Sequence, residues 1–126
     1  RLIRPPQASL VERLNRECAF YAILYSTSEQ APRQDGTLWH WTVNRSASIG
    51  NVFSRVKKRT LIFPRLEDCG SFLDEISCEV AEYDNSARSI RFSHAESQPD
   101  DALHAVNYAL LVGTREHTGR LRYGAA

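Results

Sequence analysis

Two adjacent carboxylates, Asp100 and Asp101, open the stretch of this chain whose residue types could do chemistry. Pro99 precedes them, and a proline followed by acids is typical of a helix start, where carboxylates accept orphan backbone N–H groups and meet the positive end of the helix dipole. Carboxylates are also hard oxygen ligands for Mg²⁺, and two-ion phosphodiester hydrolysis needs several of them in one place. The pair is therefore interpreted as a helix cap or as a catalytic, metal-binding element.

His104 follows one helical turn later and lies within side-chain reach of both carboxylates. It falls on one stripe with Asp101 and Tyr108. Such a histidine can orient a carboxylate or transfer a proton, which makes it a third candidate catalytic residue. The alternative is an ordinary hydrogen-bonded helix histidine.

The segment that carries these residues, 98–112, is apolar almost all round and is predicted to be a buried helix. Gly113 is its expected stop. The apolar residues that recur at spacings of three and four are Ala102, Leu103, Val106, Ala109 and Leu110.

The rest of the chain alternates helical and strand-like patterns, which predicts one α/β domain over 1–126 with a mixed sheet and flanking helices. Helices are expected over Ala8–Cys18, from Ser46 or Ser48 onward, and over Leu66–Ile76. Strands are expected over Ala19–Tyr25, Thr37–Val43 (or a packed loop) and Thr60–Phe63, with a loop over Ser26–Gly36 and a hairpin turning at Asp84–Ser86.

A basic cluster marks the end of the helix that begins near Ser48. Its members are Arg55, Lys57, Lys58 and Arg59. Cations at a helix C-terminus are electrostatically favourable, and the same residues could form a phosphate-contacting ridge for DNA. Both interpretations stay open. The remaining acids favour simpler roles: Asp35 precedes Gly36 in a predicted turn, and Glu67, Asp68, Asp74 and Glu75 are expected on a solvated helix face.

Composition limits the function classes. The net charge is +1, so overall charge does not argue for nucleic acid, and no apolar run is long enough to span a membrane. The three cysteines lack zinc-ribbon spacing, which favours reduced thiols and a cytoplasmic setting.

Two blocks carry a family resemblance. In order and spacing, these blocks resemble the nuclease domain of phage terminase large subunits. They are WTVNRSASIGNVFSRVKKRTLIFPR, at Trp41–Arg65, and PDDALHAVNYALLVG, which begins at Pro99. The resemblance covers roughly 20–113. It implies a partial RNase H-like fold and metal-dependent endonucleolytic cutting of viral DNA in a bacterial host's cytoplasm. It also implies duplex DNA, Mg²⁺ or Mn²⁺ and packaging-complex proteins as partners.

In that family the third acidic position opens the late helix, and Asp101 matches it, with Asp100 as second choice. The sequence departs from the family elsewhere, because the first strand acid falls before its start and no second acid is evident. We therefore expect weak metal binding and no efficient DNA cutting by this chain alone. The alternative function is a non-catalytic DNA- or protein-binding α/β module. A truncated sheet would also expose a strand edge, which favours self-association.

Overall fold

The computed structural model describes Leu10 and residues 13–14, 21–27, 32–35 and 40–118. Over these residues the chain is mixed α/β, which confirms the predicted class. The elements in chain order are β1 (Ala22–Ser26), β2 (Arg33–Asp35), β3 (His40–Asn44), α1 (Arg45–Lys57), α2 (Leu66–Ile76), β4 (Val80–Asp84), β5 (Ser89–Ser93) and α3 (Asp101–Thr118). Leu10, Arg13 and Leu14 have helical backbone, and the rest of the predicted first helix lies outside the described residues.

The strands form two separate sheets. β3 lies between β1, to which it is parallel, and β2, to which it is antiparallel, so this sheet is mixed as expected. β4 and β5 form the predicted hairpin, with Asp84 opposite Ser89. The Asp84 carboxylate accepts hydrogen bonds from Ser86 and from the backbone N–H of Ala87, and these bonds hold its pKa below the ordinary value. The hairpin turn is thereby closed by a side chain.

α1 begins directly after β3, because Asn44 caps it. The Asn44 side chain accepts a hydrogen bond of 2.8 Å from the backbone N–H of Ala47. The predicted caps, Ser46 and Ser48, were wrong: both lie inside the helix, and Ser48 is fully buried. The earlier start makes Arg45 the first residue of α1.

α3 is the element that joins the two parts of the core. Leu103 is fully buried with Ile49 and Val52 of α1, while Leu111 is buried against Val43 of β3. The expectation that this helix is buried all round was wrong, since Tyr108, on one of its faces, is 37% exposed.

Gly113 does not end α3, which continues to Thr118. The next turn makes its own tertiary contacts, because Arg115 donates a hydrogen bond of 2.7 Å to the Tyr21 hydroxyl and lies over the Tyr21 ring. Packing therefore outweighs the weak helix propensity of glycine.

Two further predictions were wrong. Thr60–Phe63 forms no strand: Leu61 and Phe63 pack against the core by their side chains, and the segment pairs with none of the described strands. The predicted loop Ser26–Gly36 contains β2, because its backbone pairs with β3. Among the helices in the described residues, none is both long and apolar enough to cross a bilayer.

Candidate metal centre

Four chain segments bring charged side chains together beside the start of α3. Arg45 is the first residue of α1, Glu79 precedes β4, His94 follows β5, and Asp100 precedes α3. The hairpin register explains part of this convergence. Val80 lies opposite Ser93, so the next residue outward on each strand is Glu79 on one side and His94 on the other.

Glu79 is the most buried member of the cluster, with a side chain that is 0% exposed. Its Oε1 accepts a hydrogen bond from the Arg45 guanidinium and one of 3.1 Å from His94 Nδ1. Its Oε2 is buried and has no hydrogen-bond partner among the described residues. A buried carboxylate oxygen without a donor is costly, and such an atom is a natural position for a bound ligand.

Asp100 completes a group that could hold a metal ion. Its Oδ2 lies 2.7 Å from His104 Nε2, 3.6 Å from His94 Nδ1 and 3.7 Å from Arg45 Nη2. Glu79, His94 and Asp100 each offer one ligand atom, and these atoms all lie within 4.8 Å of one another. The two carboxylates and the one guanidinium together carry a charge of −1, which favours a cation.

A second layer of hydrogen bonds fixes His104. The Tyr25 hydroxyl lies 2.8 Å from His104 Nδ1, and Asn107 Nδ2 donates to that hydroxyl at 2.9 Å and to Ser48 Oγ at 3.0 Å. Burial raises the pKa of Tyr25 well above its ordinary value, so the phenol stays protonated. A phenol that accepts from Asn107 can donate to Nδ1, which leaves the proton of neutral His104 on Nε2, facing Asp100.

Replacing Tyr25 by Phe should remove the preference of His104 for the Nε2–H tautomer. His104 Nδ1 loses its donor, and Asn107 loses one acceptor, so we expect a loss of roughly 1–2 kcal/mol in the free energy of unfolding. NMR of the imidazole nitrogens should show the Nε2–H form in the wild type and a mixture of tautomers in Tyr25→Phe. Tyr83→Phe, the same change at a 62% exposed tyrosine, is the control. An unchanged His104 tautomer in Tyr25→Phe would contradict this arrangement.

The structure separates the two carboxylates that the sequence singles out. Asp100 and His104 lie in the cluster, 2.7 Å apart, whereas Asp101 is exposed in the first turn of α3 and makes none of the cluster's contacts. A neighbouring expectation was wrong: Glu75 is half-buried and caps α3 by accepting a hydrogen bond of 3.0 Å from the backbone N–H of Ala102.

The basic residues near the end of α1 do not form one uniform ridge. Lys57, Lys58 and Arg59 are exposed, while Arg55 is half-buried. Lys58 caps the helix, and Arg59 follows it with a positive φ of 57°. Lys57 alone among the four lines the groove described below.

Sequence reasoning missed Arg45, Glu79 and His94 as partners of Asp100. A signal for two of them existed: with Asp84–Ser86 as the turn, the hairpin register places Glu79 opposite His94. Arg45 ends the aromatic-x-V-x-R segment of the upstream block that carries the resemblance, but its place beside Glu79 could not be predicted because it depends on the Asn44 cap.

Searches of protein-family models, curated proteins and solved structures found no match to this chain.

Proposed function

We propose that this chain is the C-terminal portion of an RNase H-like nuclease domain of the phage terminase type. Its substrate in this proposal is the phosphodiester backbone of duplex DNA, and Glu79, His94 and Asp100 hold one divalent ion. The observation that supports this most directly is the second carboxylate: Glu79 meets Asp100 at the helix start that carries the family resemblance.

The donor set fits such an ion. Two carboxylate oxygens suit Mg²⁺ and Mn²⁺, and the imidazole nitrogen of His94 favours Mn²⁺ over Mg²⁺. The buried Oε2 of Glu79, which has no partner among the described residues, would gain one. When bound, a divalent ion would polarise a phosphoryl oxygen and lower the pKa of a water molecule.

The chain's own residues supply positioning around that site. Arg45 holds Glu79 and is anchored by a hydrogen bond of 2.6 Å to the carbonyl oxygen of Phe92. His104 holds Asp100, and ligating carboxylates that are fixed in this way bind metals more tightly. The side chain of His94 is 24% exposed, and its Nδ1 lies 3.1 Å from Glu79 Oε1 and 3.6 Å from Asp100 Oδ2, so it can join both carboxylates in holding an ion.

Two matched substitutions test the metal site. Asp100→Asn should weaken Mn²⁺ binding by more than about tenfold. Even residues that only hydrogen-bond to a metal ligand cost at least about tenfold in metal affinity when they are replaced. Asp101→Asn, the same change one residue later, should leave binding unchanged because Asp101 lies outside the cluster. Titration calorimetry and Mn²⁺ water-proton relaxation measure both. The reverse result would overturn the cluster and restore the assignment of Asp101 from sequence.

A nicking assay with supercoiled plasmid and Mn²⁺ tests the reaction class. We expect slow nicking at most, because two-ion hydrolysis needs both ions fixed and the described residues form a single three-ligand group. Any nicking above background should vanish in Asp100→Ala, and nicking that survives this change would contradict the proposal.

The second candidate is a non-catalytic DNA- or protein-binding module, and Arg45 favours it. Its guanidinium already neutralises the buried Glu79 carboxylate, so the cluster can be stable as an ion-pair network without metal. Absence of Mn²⁺ binding in the folded wild-type chain would select this alternative.

A further inference from the structure

A groove runs along α1 on the side that faces the hairpin. Its volume is about 860 Å³, and its walls come from the end of β1, one side of α1 along its whole length, and β5. This size is within the range of roughly 300–1,000 Å³ that is typical of ligand sites. Arg45 lines the groove and also contacts the carboxylates of the metal centre, so the two sites share one side chain.

The charges that line the groove have one sign. Arg45, Lys57 and Arg91 belong to its walls, and none of its lining residues is Asp or Glu. Arg45 is paired with Glu79 and Arg91 with Asp84 at 3.1 Å, while Lys57 is exposed and has no ion-pair partner among the described residues. The first turn of α1, which adds the positive end of the helix dipole, also has no acid. Lys57 and this helix end therefore favour an anionic group, such as one phosphate, in an otherwise largely apolar groove.

The remaining lining combines aromatic rings with hydroxyl groups. Phe53 and Phe92 line the groove and stack on each other with centroids 5.4 Å apart. Ser46, Ser54 and Ser89 supply hydroxyls. Cationic grooves with aromatic side chains bind single-stranded nucleic acid, because bases stack on the rings while cations track the phosphates. A duplex keeps its bases paired and stacked inside, so only an unpaired strand can place a base against these rings.

We propose that this groove binds a single, unpaired DNA strand, with Lys57 on a phosphate and a base against the Phe53–Phe92 pair. A strand in this position passes Arg45 and reaches the edge of the Glu79–His94–Asp100 group. The idea that the groove directs a strand to a cutting site rests on the proposed function. The binding of a strand in the groove does not depend on the proposed function.

Fluorescence anisotropy of a labelled 15-nucleotide oligo-dT tests the proposal. The buffer contains EDTA, so the result does not depend on whether the proposed metal site binds an ion. Oligo-dT should bind more tightly than a duplex of the same length. Lys57→Ala should reduce the salt slope by about 0.7 and the affinity at 50 mM salt by roughly eightfold, the value of one single-strand phosphate contact. An abasic oligonucleotide should bind at least about fivefold more weakly than oligo-dT, because it cannot stack.

Lys58→Ala is the matched control, since it removes the same charge from the adjacent exposed residue, which does not line the groove. We expect a loss of less than about twofold, as for an exposed charge that makes no phosphate contact. Equal losses in Lys57→Ala and Lys58→Ala would indicate a diffuse basic ridge and overturn the groove. Duplex binding as tight as strand binding, or no binding of oligo-dT at 50 mM salt, would also overturn it.

Discussion

Arg45→Ala is expected to lower the free energy of unfolding by about 3–5 kcal/mol, the usual cost of removing one partner from a buried ion pair. The Glu79 side chain is 0% exposed, and the Arg45 guanidinium is one of the two hydrogen-bond donors that the described residues give it. Of these two donors, the variant keeps His94 alone. The substitution also removes the hydrogen bond to the Phe92 carbonyl, which connects α1 to β5. Urea denaturation followed by circular dichroism measures the loss.

A double-mutant cycle separates the charge from the packing. Glu79→Gln keeps the size of the side chain but removes its charge, so adding it to Arg45→Ala should recover part of the lost stability. Losses that simply add in the double variant would show that the ion pair is not the reason for the destabilisation.

Leu103→Ala is expected to cost about 2.7–5 kcal/mol, because the removed atoms lose their burial and leave a cavity. Leu103 is 0% exposed and packs with Ile49, Val52, Ile76 and Ala102 where α1, α2 and α3 meet. It lies directly before His104, so a shift of this turn would also disturb the His104–Asp100 contact. The midpoint of urea unfolding should fall accordingly.

Leu66→Ala provides the control for Leu103→Ala. It makes the same chemical change at a leucine that is 67% exposed, where effects stay within about 0.5 kcal/mol. A large loss in Leu66→Ala, or a small one in Leu103→Ala, would contradict the packing of the three helices.

Periodicity predicted the elements that pack by their own patterns. The apolar spacing of α3, the alternation of β4 and β5, and the Asp84 turn were sufficient to predict those elements in the correct order. Predictions were wrong where distant contacts decide. Thr60–Phe63 has the sequence pattern of a strand but packs by side chains alone. The helix α3 continues beyond Gly113 because Arg115 contacts Tyr21.

The candidate site was only partly predictable for the same reason. Asp100 and His104 are four residues apart on one helix, so local spacing finds them. Glu79 is 21 residues before Asp100, and a lone glutamate next to an apolar strand carries no local sign of burial. Asp101 was preferred over Asp100 because it matches the third acidic position of the resembled family, and sequence alone cannot say which of two adjacent carboxylates faces the protein.

The β4–β5 hairpin makes the candidate metal centre depend on local opening. Glu79 and His94 are at the open end of this two-stranded sheet, and Val80, Tyr83 and Ile90 are all more than half exposed. Hairpins with so little burial open at free energies well below that of global unfolding. Each such opening would separate two of the three candidate ligands, and an ion that binds only the closed form would shift this equilibrium by mass action. The affinity of the site for a metal ion and the amide-exchange protection of β4 and β5 should therefore rise and fall together.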